Sequence, residues 1–211
     1  MSHPLLAQIK ENLMKGKAND VKALCEKAVA EKLGVKQILD EGLIAAMAVI
    51  GDKFKRNEVY VPEVLIAARA MNAGMSVLKP LLKQAGVKAR GKICLGTVKG
   101  DLHDIGKNLV GMMLEGAGYE VVDLGVNVEP EKFVSAAQQH KPDIIAMSAL
   151  LTTTMGAMKS TVEALKAAGS KARTMVGGAP LTDSFAKEIG ASGYAPDAAS
   201  AVDLANKLMA A

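Results

Sequence analysis

Over the first 80 residues, apolar side chains recur every three or four positions, which is the spacing of one face of a helix. Asn19 and Asp20 are predicted to cap the second helix and Gly34 to end it, while Pro62 suits the first turn of the fourth. Four antiparallel helices with short loops form a small bundle. The predicted helices cover residues 4–14, 21–33, 35–54 and 62–78.

Beyond residue 90 the pattern changes to short apolar runs that alternate with helical segments. The polar, glycine-containing stretch 83–91 between the two patterns is predicted to be a linker. Alternating strands and helices predict a parallel sheet with helices on both faces. We therefore expect an α/β protein with two domains, residues 1–88 and 89–211. The predicted strands cover residues 93–98, 121–124, 143–148, 174–176 and 193–195, and the helices between and after them 104–116, 130–139, 155–168, 183–189 and 198–209.

The composition argues against nucleic acid as a partner. Aromatic residues make up 3% of the chain and Trp is absent, whereas single-stranded nucleic acid stacks its bases on aromatic rings. The formal net charge is +4, but the basic residues are interspersed with acidic ones and form no basic patch in the sequence.

The two cysteines lie far apart in the sequence, which does not suggest a disulfide framework.

The hydropathy pattern favours the cytoplasm. The first residues lack the basic stretch and following apolar stretch of a secretory signal. The longest strongly apolar stretch, residues 43–50, is far shorter than the ~20 residues that cross a bilayer as a helix. We therefore expect a cytoplasmic protein without a membrane partner.

Three loops of unusual composition follow predicted strands. Ligands of open α/β sheets bind beyond the carboxyl ends of the strands, so these loops are the first place to look for chemistry. The loop after the first strand contains Asp101, His103 and Asp104. Residues 148–154 after the third strand are rich in hydroxyl groups, and the paired glycines 177–178 follow the fourth. The three loops are predicted to converge at one edge of the sheet.

Each loop also has a purely structural interpretation. Asp101 or Asp104 could cap the helix that follows, His103 could be a solvated loop residue, and the threonines could cap the next helix. The glycines could form a tight turn, or their backbone could hold a phosphate or a flavin. The sequence contains no GxGxxG, GxxxxGK[ST] or GxSxG motif and no Cys or His near His103 to complete a zinc site.

The three loops together resemble a known signature. Residues 101–106 (DLHDIG), 148–150 (SAL) and 177–178 (GG) match the DxHxxG…SxL…GG pattern of cobalamin-binding domains. The resemblance implies a Rossmann-like, flavodoxin-like five-stranded parallel sheet that binds a corrinoid base-off. It further implies that His103 is the lower axial ligand of cobalt, that Asp101 orients His103 and shares its proton, and that Thr154 continues this relay.

The same resemblance assigns the other contacts of the cofactor. Ser148 and Thr152 fall where relatives touch the benzimidazole or its loop, whereas the paired glycines leave room for the nucleotide tail. Ala198 matches another position that contacts the tail. The residues expected to bind the cofactor in this domain, besides the three above, are Gly100, Leu102, Asp104, Ile105, Gly106, Ser148, Leu150, Thr152, Gly177, Gly178 and Ala198.

The N-terminal domain resembles the helical cap of methylcobalamin-binding proteins. The resemblance rests on residues 51–54 (GDKF) and 58–64 (EVYVPEV). It implies a four-helix bundle cap in which Phe54, Val61 and Val64 cover the upper face of the corrin. Apolar residues at helical spacing also form bundle cores, which is the alternative for these three side chains.

The whole chain resembles the corrinoid proteins of methylamine, methanol and methoxyaromatic methyltransferase systems. It is also similar to the cap and cobalamin modules of cobalamin-dependent methionine synthase. The resemblance implies a non-catalytic methyl carrier whose cofactor, cobalamin or a related corrinoid, alternates between methylcobalamin and cob(I)alamin. The implied partners are a substrate:corrinoid methyltransferase, a corrinoid:coenzyme M or corrinoid:tetrahydrofolate methyltransferase, and a reductive activase.

Other classes of protein share parts of this pattern. The cobalamin-binding subunit of a mutase shares DxHxxG but not the helical cap. A cobalamin-responsive regulator would need a DNA-binding element, and the sequence shows no basic helix-turn-helix. A cobalamin storage protein would have the same residues as a carrier, and a flavodoxin-like electron carrier would bind flavin instead of a corrinoid.

Overall fold

The protein is described by a computed structural model over residues 3–210. Residues 1, 2 and 211, with which the predicted domains begin and end, lie outside the described residues. The chain divides into two compact units at residues 89 and 90, one residue beyond the predicted boundary. Within the described residues, the helical unit comprises residues 3–89 with Gly116–Gly118, and the sheet unit comprises Arg90–Glu115 with residues 119–210.

The helical unit has the helices that the apolar periodicity predicts. A π-helical segment, Ile38–Ile44, joins α3 to α4, so that the backbone stays helical along the predicted third helix. Helix α2 packs against α5, and α1 packs against α2 and α4, so their apolar faces form a shared core. The helices are α1 (Pro4–Met14), α2 (Ala18–Ala30), α3 (Val35–Gln37), α4 (Ala45–Lys55) and α5 (Val61–Gln84).

The ends of α2 differ from the prediction. Lys17 occupies the N-cap position without a side-chain hydrogen bond, and Asp20 lies inside the first turn, where its charge favours the helix dipole. The helix ends before Lys32, which adopts a left-handed φ of 62°, and not at Gly34. The amide of Leu33 then donates to the carbonyl of Ala28, which closes the helix as a glycine would.

The sheet unit is a five-stranded parallel sheet in the order β2-β1-β3-β4-β5. Each predicted strand is present, but β2 is longer than predicted. This strand lies at the edge of the sheet, and its polar residues and glycine obscure the apolar run by which buried strands are recognised. The strands are β1 (Lys92–Val98), β2 (Glu120–Val128), β3 (Ile144–Ser148), β4 (Arg173–Gly177) and β5 (Gly193–Ala195).

Helices cover the sheet and bury most of β1, β3 and β4. Phe133 on α7 is fully buried against β1, where a side chain at Gly96 would lie 2.9 Å from the Phe133 ring. Both cysteines, Cys25 and Cys94, are buried and unpaired, as the sequence predicts. The helices are α6 (Ile105–Gly116), α7 (Pro130–His140), α8 (Met155–Ala167), α9 (Asp183–Glu188) and α10 (Ala198–Ala210).

The strand order creates a crevice beyond the carboxyl ends of β1 and β3. The chain passes from β1 outward to β2 on one side and then returns to β3 on the other side. At such a switch point the loops after the two central strands diverge and leave room for a ligand. No helix within residues 3–210 is long and apolar enough to cross a membrane.

Candidate functional site

Hydrogen bonds to one carboxylate join the loop after β1 to the loop after β3. The backbone amides of Leu150 and Leu151 donate to Oδ2 of Asp101, at 2.7 and 3.3 Å. Residues 148 and 177 are Cα partners across β3 and β4, which brings the paired glycines alongside. The convergence of three loops that the sequence predicts is therefore present at the carboxyl edge of the sheet.

Asp101 is fully buried and accepts hydrogen bonds on both carboxylate oxygens. Oδ1 accepts from the backbone amide and from Nδ1 of His103, and Oδ2 also accepts from the Thr154 hydroxyl. Burial by itself would raise the pKa of Asp101, but the donated hydrogen bonds outweigh it and hold the pKa well below its usual range. Asp101 therefore stays an anionic acceptor and does not cap α6, which was one of its structural interpretations.

The Asp101 carboxylate fixes the tautomer of His103. Nδ1 of His103 lies 2.9 Å from Oδ1 of Asp101. An ionised carboxylate can only accept, so Nδ1 carries the proton, and the neutral ring has its lone pair on Nε2. The side chain of His103 is 53% exposed, so this ring is open to a ligand. The site therefore presents one oriented imidazole nitrogen for coordination.

Thr154 is buried beside the carboxylate. Its hydroxyl lies 3.0 Å from Oδ2 of Asp101 and 2.8 Å from the carbonyl oxygen of Leu151. Thr154 is the residue before α8 but makes no side-chain capping bond to that helix, so the capping interpretation is wrong for it. The contacts of the predicted His103–Asp101–Thr154 relay are all present, whereas Thr152 in the same turn is exposed.

The paired glycines are required by a close approach of the backbone. Gly178 has a φ of 139°, and a side chain there would come within 1.8 Å of the carbonyl oxygen of Ala149. A side chain at Gly177 would come within 2.9 Å of the carbonyl oxygen of Ala195. Gly178 lets the loop after β4 pack against the backbone after β3, and Gly177 lets β4 pack closely against the end of β5. A role in admitting a nucleotide tail remains a prediction for both.

The other predicted residues of the loop after β1 are exposed. Gly100 turns the chain with a φ of 80°. The carbonyl of Asp104 accepts from the amide of Asn108 and begins α6, and its carboxylate accepts from the Asn108 side chain. Gly106 lies in the first turn of that helix, with open space where a side chain would be. These positions leave His103 accessible.

Large apolar side chains around His103 face solvent. Leu102 is 72% exposed and Ile105 is 80% exposed, and Leu150 and Leu151 are exposed as well. Grouped exposed apolar residues of this size mark a binding surface. Leu151 is absent from the sequence-based predictions, although an apolar residue within a loop rich in hydroxyl groups was a signal for it.

The predicted residues on other elements are less closely connected to this site. Ala198 is buried at the start of α10. Phe54 lies in the last turn of α4 and Val61 begins α5, and both are partly exposed. Val64, one turn further along α5, is fully buried, which favours the core interpretation for it. The role of these four residues toward a cofactor remains a prediction.

Two polar residues that the sequence did not single out also contact this loop. The hydroxyl of Thr97, a buried residue of β1, donates to the carbonyl of His103. The side chain of Asn127, at the end of β2, accepts from the amide of Gly100. A polar residue in an apolar strand directly before the loop was a signal for Thr97. Asn127 is far away in the sequence and is brought to the loop only by strand pairing.

Comparison with known protein families identifies this arrangement. A family described as "B12 binding domain" matches residues 91–203, and a second family with the same description matches residues 5–79. A corrinoid protein of Desulfitobacterium hafniense (strain Y51) is 42% identical over 210 residues, 97% of each chain. The chain belongs to the corrinoid protein family. Its cofactor is therefore cobalamin or a related corrinoid.

Other relatives also match this chain over nearly all of its length. The dimethylamine corrinoid protein of Methanosarcina barkeri is 42% identical over 98% of each chain. The solved structure of the methanol:cobalamin methyltransferase complex from the same organism matches with a TM-score of 0.88 at 30% identity. That match covers 100% of this chain and 81% of the other. The predicted fold class, a helical bundle followed by a five-stranded Rossmann-like sheet, is confirmed.

The residues of the site fit a corrinoid. Imidazole is a good ligand for first-row transition metals, and His103 offers one such nitrogen from a half-exposed ring. A single imidazole oriented by a carboxylate is what proteins give a metal whose other ligands come from a macrocycle. Within residues 3–210, no three His, Cys, Asp or Glu side chains are grouped as a metal site. The exposed Leu102 and Ile105 suit the apolar periphery of such a ring.

Proposed function

We propose that this corrinoid protein carries a methyl group between two methyltransferases. When bound, the corrinoid supplies a cobalt that takes up the methyl group from one partner and releases it to the other. The observation that carries the proposal is the hydrogen bond of 2.9 Å between the buried Asp101 carboxylate and Nδ1 of His103. It leaves the Nε2 lone pair of His103 available, so this residue would hold the cobalt, and an oriented ligand suits a protein that must control its metal.

The roles of the chain's own residues follow from the hydrogen bonds. His103 would hold the cobalt through Nε2, while Asp101 keeps the proton on Nδ1 and thereby fixes the tautomer. Thr154 would donate to the carboxylate from the side away from the ring. Ligation and protonation compete for the same Nε2 lone pair, so a change in ligation is coupled to a proton. This coupling would let the protein strengthen or weaken the axial bond.

The remaining predicted residues would shape the cavity around the ring. Residues of the sheet unit would hold the lower face and the nucleotide tail. Phe54 and Val61 of the helical unit, which are partly exposed, would shield the upper face, whereas the burial of Val64 favours a place in the bundle core. The residues proposed for the sheet unit are Gly100, Leu102, Asp104, Ile105, Gly106, Ser148, Leu150, Thr152, Gly177, Gly178 and Ala198.

The partners proposed for this chain are enzymes. Relatives named for dimethylamine and a structural match named for methanol support a substrate:corrinoid methyltransferase as the first partner. The second would transfer the methyl group to coenzyme M or to tetrahydrofolate. A reductive activase would be a third partner, since the cobalt of a bound corrinoid would be open to oxidation. The cytoplasmic location remains a prediction from the sequence.

Reconstitution with hydroxocobalamin tests the cofactor site. The visible spectrum of a bound corrinoid responds to its lower ligand, so the native protein and His103→Ala should differ. His140→Ala is the matched control, because His140 lies at the end of α7, outside the site. Stoichiometric binding with a spectrum that changes only in His103→Ala supports the proposal. No bound corrinoid in the native protein, or the same spectrum in His103→Ala, refutes the assigned site.

Transfer of a labelled methyl group separates a carrier from a storage protein. The protein reconstituted with methylcobalamin that carries a ¹⁴C methyl group is mixed with a corrinoid:coenzyme M methyltransferase and coenzyme M. A second reaction contains a corrinoid:tetrahydrofolate methyltransferase and tetrahydrofolate. A carrier loses its label to the acceptor in one of the two reactions. Retention of the label on the protein in both reactions contradicts the carrier function.

A further inference from the structure

The backbone of the His103 loop is held by a side chain from the strand that precedes it. Thr97, in β1, is fully buried, and its hydroxyl donates to the carbonyl oxygen of His103 at 2.8 Å. This contact spans six residues and ties the ring-bearing residue back to the sheet. The amide of His103 is bound at the same time by Oδ1 of Asp101. Both polar backbone groups of His103 are therefore fixed.

The other end of the loop is held by the neighbouring strand. Asn127, at the end of β2, accepts from the amide of Gly100 at 2.7 Å through its side-chain oxygen. The backbone amide of Asn127 donates to the carbonyl of Asp101 at 2.9 Å. Asn127 has a left-handed φ of 50°, a conformation that Asn adopts more readily than most residues. In this conformation, the side-chain oxygen and the backbone amide of Asn127 both point toward the same turn of the loop.

We propose that Thr97 and Asn127 are positioning residues that fix the direction of the His103 imidazole toward the cobalt. This inference rests on the proposed function, because it concerns the axial ligand of the corrinoid. The Asp101 carboxylate sets the tautomer, but it can orient the ring only if the backbone on either side of it stays in place. Outer contacts of this kind typically change metal affinity by about 10- to 100-fold when they are removed.

Conservative substitutions separate positioning from stability. Thr97→Val keeps the shape of the side chain but removes the donor to His103, whereas Thr97→Ser keeps the donor. Asn127→Gly keeps the left-handed backbone but removes the acceptor for Gly100, whereas Asn127→Asp keeps an acceptor. Thr161→Val is the matched control, because the buried Thr161 also donates to a backbone carbonyl, within α8.

The first readout is the visible spectrum and the dissociation constant of the complex with hydroxocobalamin. Thr97→Val and Asn127→Gly should lose most of the histidine-ligated spectrum and bind about 10-fold more weakly. Thr97→Ser, Asn127→Asp and Thr161→Val should retain the native spectrum. A native spectrum and native affinity in both Thr97→Val and Asn127→Gly would overturn the inference, and so would equal losses in Thr161→Val.

The second readout needs no cofactor. Hydrogen exchange of residues 99–104 in the cofactor-free protein should be faster in Thr97→Val and Asn127→Gly than in the native protein, and unchanged in Thr161→Val. If the native protein binds no corrinoid, the proposed function fails. Unchanged hydrogen exchange of residues 99–104 in Thr97→Val and Asn127→Gly refutes the inference that these two residues hold the His103 loop. Should Thr97→Val fail to fold, Asn127→Gly decides both readouts. The native Asn127 lies at the end of an edge strand, so removing its side chain should leave the fold intact.

Discussion

Replacing Asp101 by Asn should remove the axial ligand without removing any ring atom. The amide oxygen is expected to take the Oδ2 position, where it keeps the bonds from Leu150, Leu151 and Thr154. The amide nitrogen then faces His103 and donates to Nδ1. The ring must respond by placing its proton on Nε2, and a protonated Nε2 has no lone pair for cobalt. Asp101→Asn therefore selects the wrong tautomer of His103.

The losses of stability and of cofactor affinity in Asp101→Asn can be estimated from the hydrogen bonds that change. The amide of His103 loses its acceptor at 3.0 Å, and the loss of one such partly buried bond costs about 2 kcal/mol of unfolding free energy. The effect on the cofactor is of similar size in free energy, because loss of an orienting carboxylate weakens metal binding by about 10- to 100-fold. The folded protein should thus survive the substitution while ligation through His103 is lost.

Two measurements and one control test this expectation. Urea unfolding of the cofactor-free protein measures the stability, and titration with hydroxocobalamin measures affinity and spectrum. Asp143→Asn is the matched control, since Asp143 accepts a backbone amide from Lys92 at the opposite end of the sheet. A histidine-ligated spectrum with native affinity in Asp101→Asn would refute the reasoning about the tautomer.

The stability difference between native protein and Asp101→Asn should depend on pH with a defined sign. The pKa of Asp101 is lowered in the folded protein relative to the unfolded chain. Such a group stabilises the fold at every pH above its unfolded pKa of about 4, and this contribution is lost as the pH falls toward the folded pKa. The difference should shrink as the pH falls from about 4 toward the folded pKa. A difference that grows on acidification contradicts the assignment.

Three further predictions concern the sheet unit and the cysteines. Asp123→Asn should destabilise the protein more than Lys107→Met in urea unfolding, by about 2 kcal/mol. The former leaves a buried ammonium without its carboxylate, whereas the half-exposed carboxylate can be hydrated. Gly178→Ala should lower the unfolding midpoint because its side chain would meet a backbone oxygen, whereas Gly156→Ala, in open space, should not. Burial raises the pKa values of the two thiols to about 12 and about 11, so neither should react with a thiol reagent at pH 8 until the protein unfolds; fast labelling of the native protein would contradict this.

The sequence by itself determined most of the architecture. Helical spacing of apolar residues located the bundle, and the alternation of apolar runs with helices predicted the parallel sheet. These patterns are reliable because burial of one face imposes a period on the chain that local residues must satisfy. The left-handed Lys32 and the π-helical segment Ile38–Ile44 escaped prediction. Apolar spacing carries no signal for a left-handed lysine, and one wider turn is hard to distinguish within an otherwise helical pattern.

The site was only partly determined by the sequence. His103, Asp101 and Thr154 could be selected because their spacing resembles a family signature, and the structure brings their side chains into contact. Only the tertiary structure decided that Nδ1 of His103 contacts Oδ1 of Asp101, while the donors from the loop after β3 contact Oδ2. That contact leaves Nε2 as the free nitrogen of the His103 ring. It also brought Asn127 to the loop, through pairing between strands that are distant in sequence. Local patterns record burial, but the direction of a hydrogen bond depends on atoms that only the folded chain places side by side.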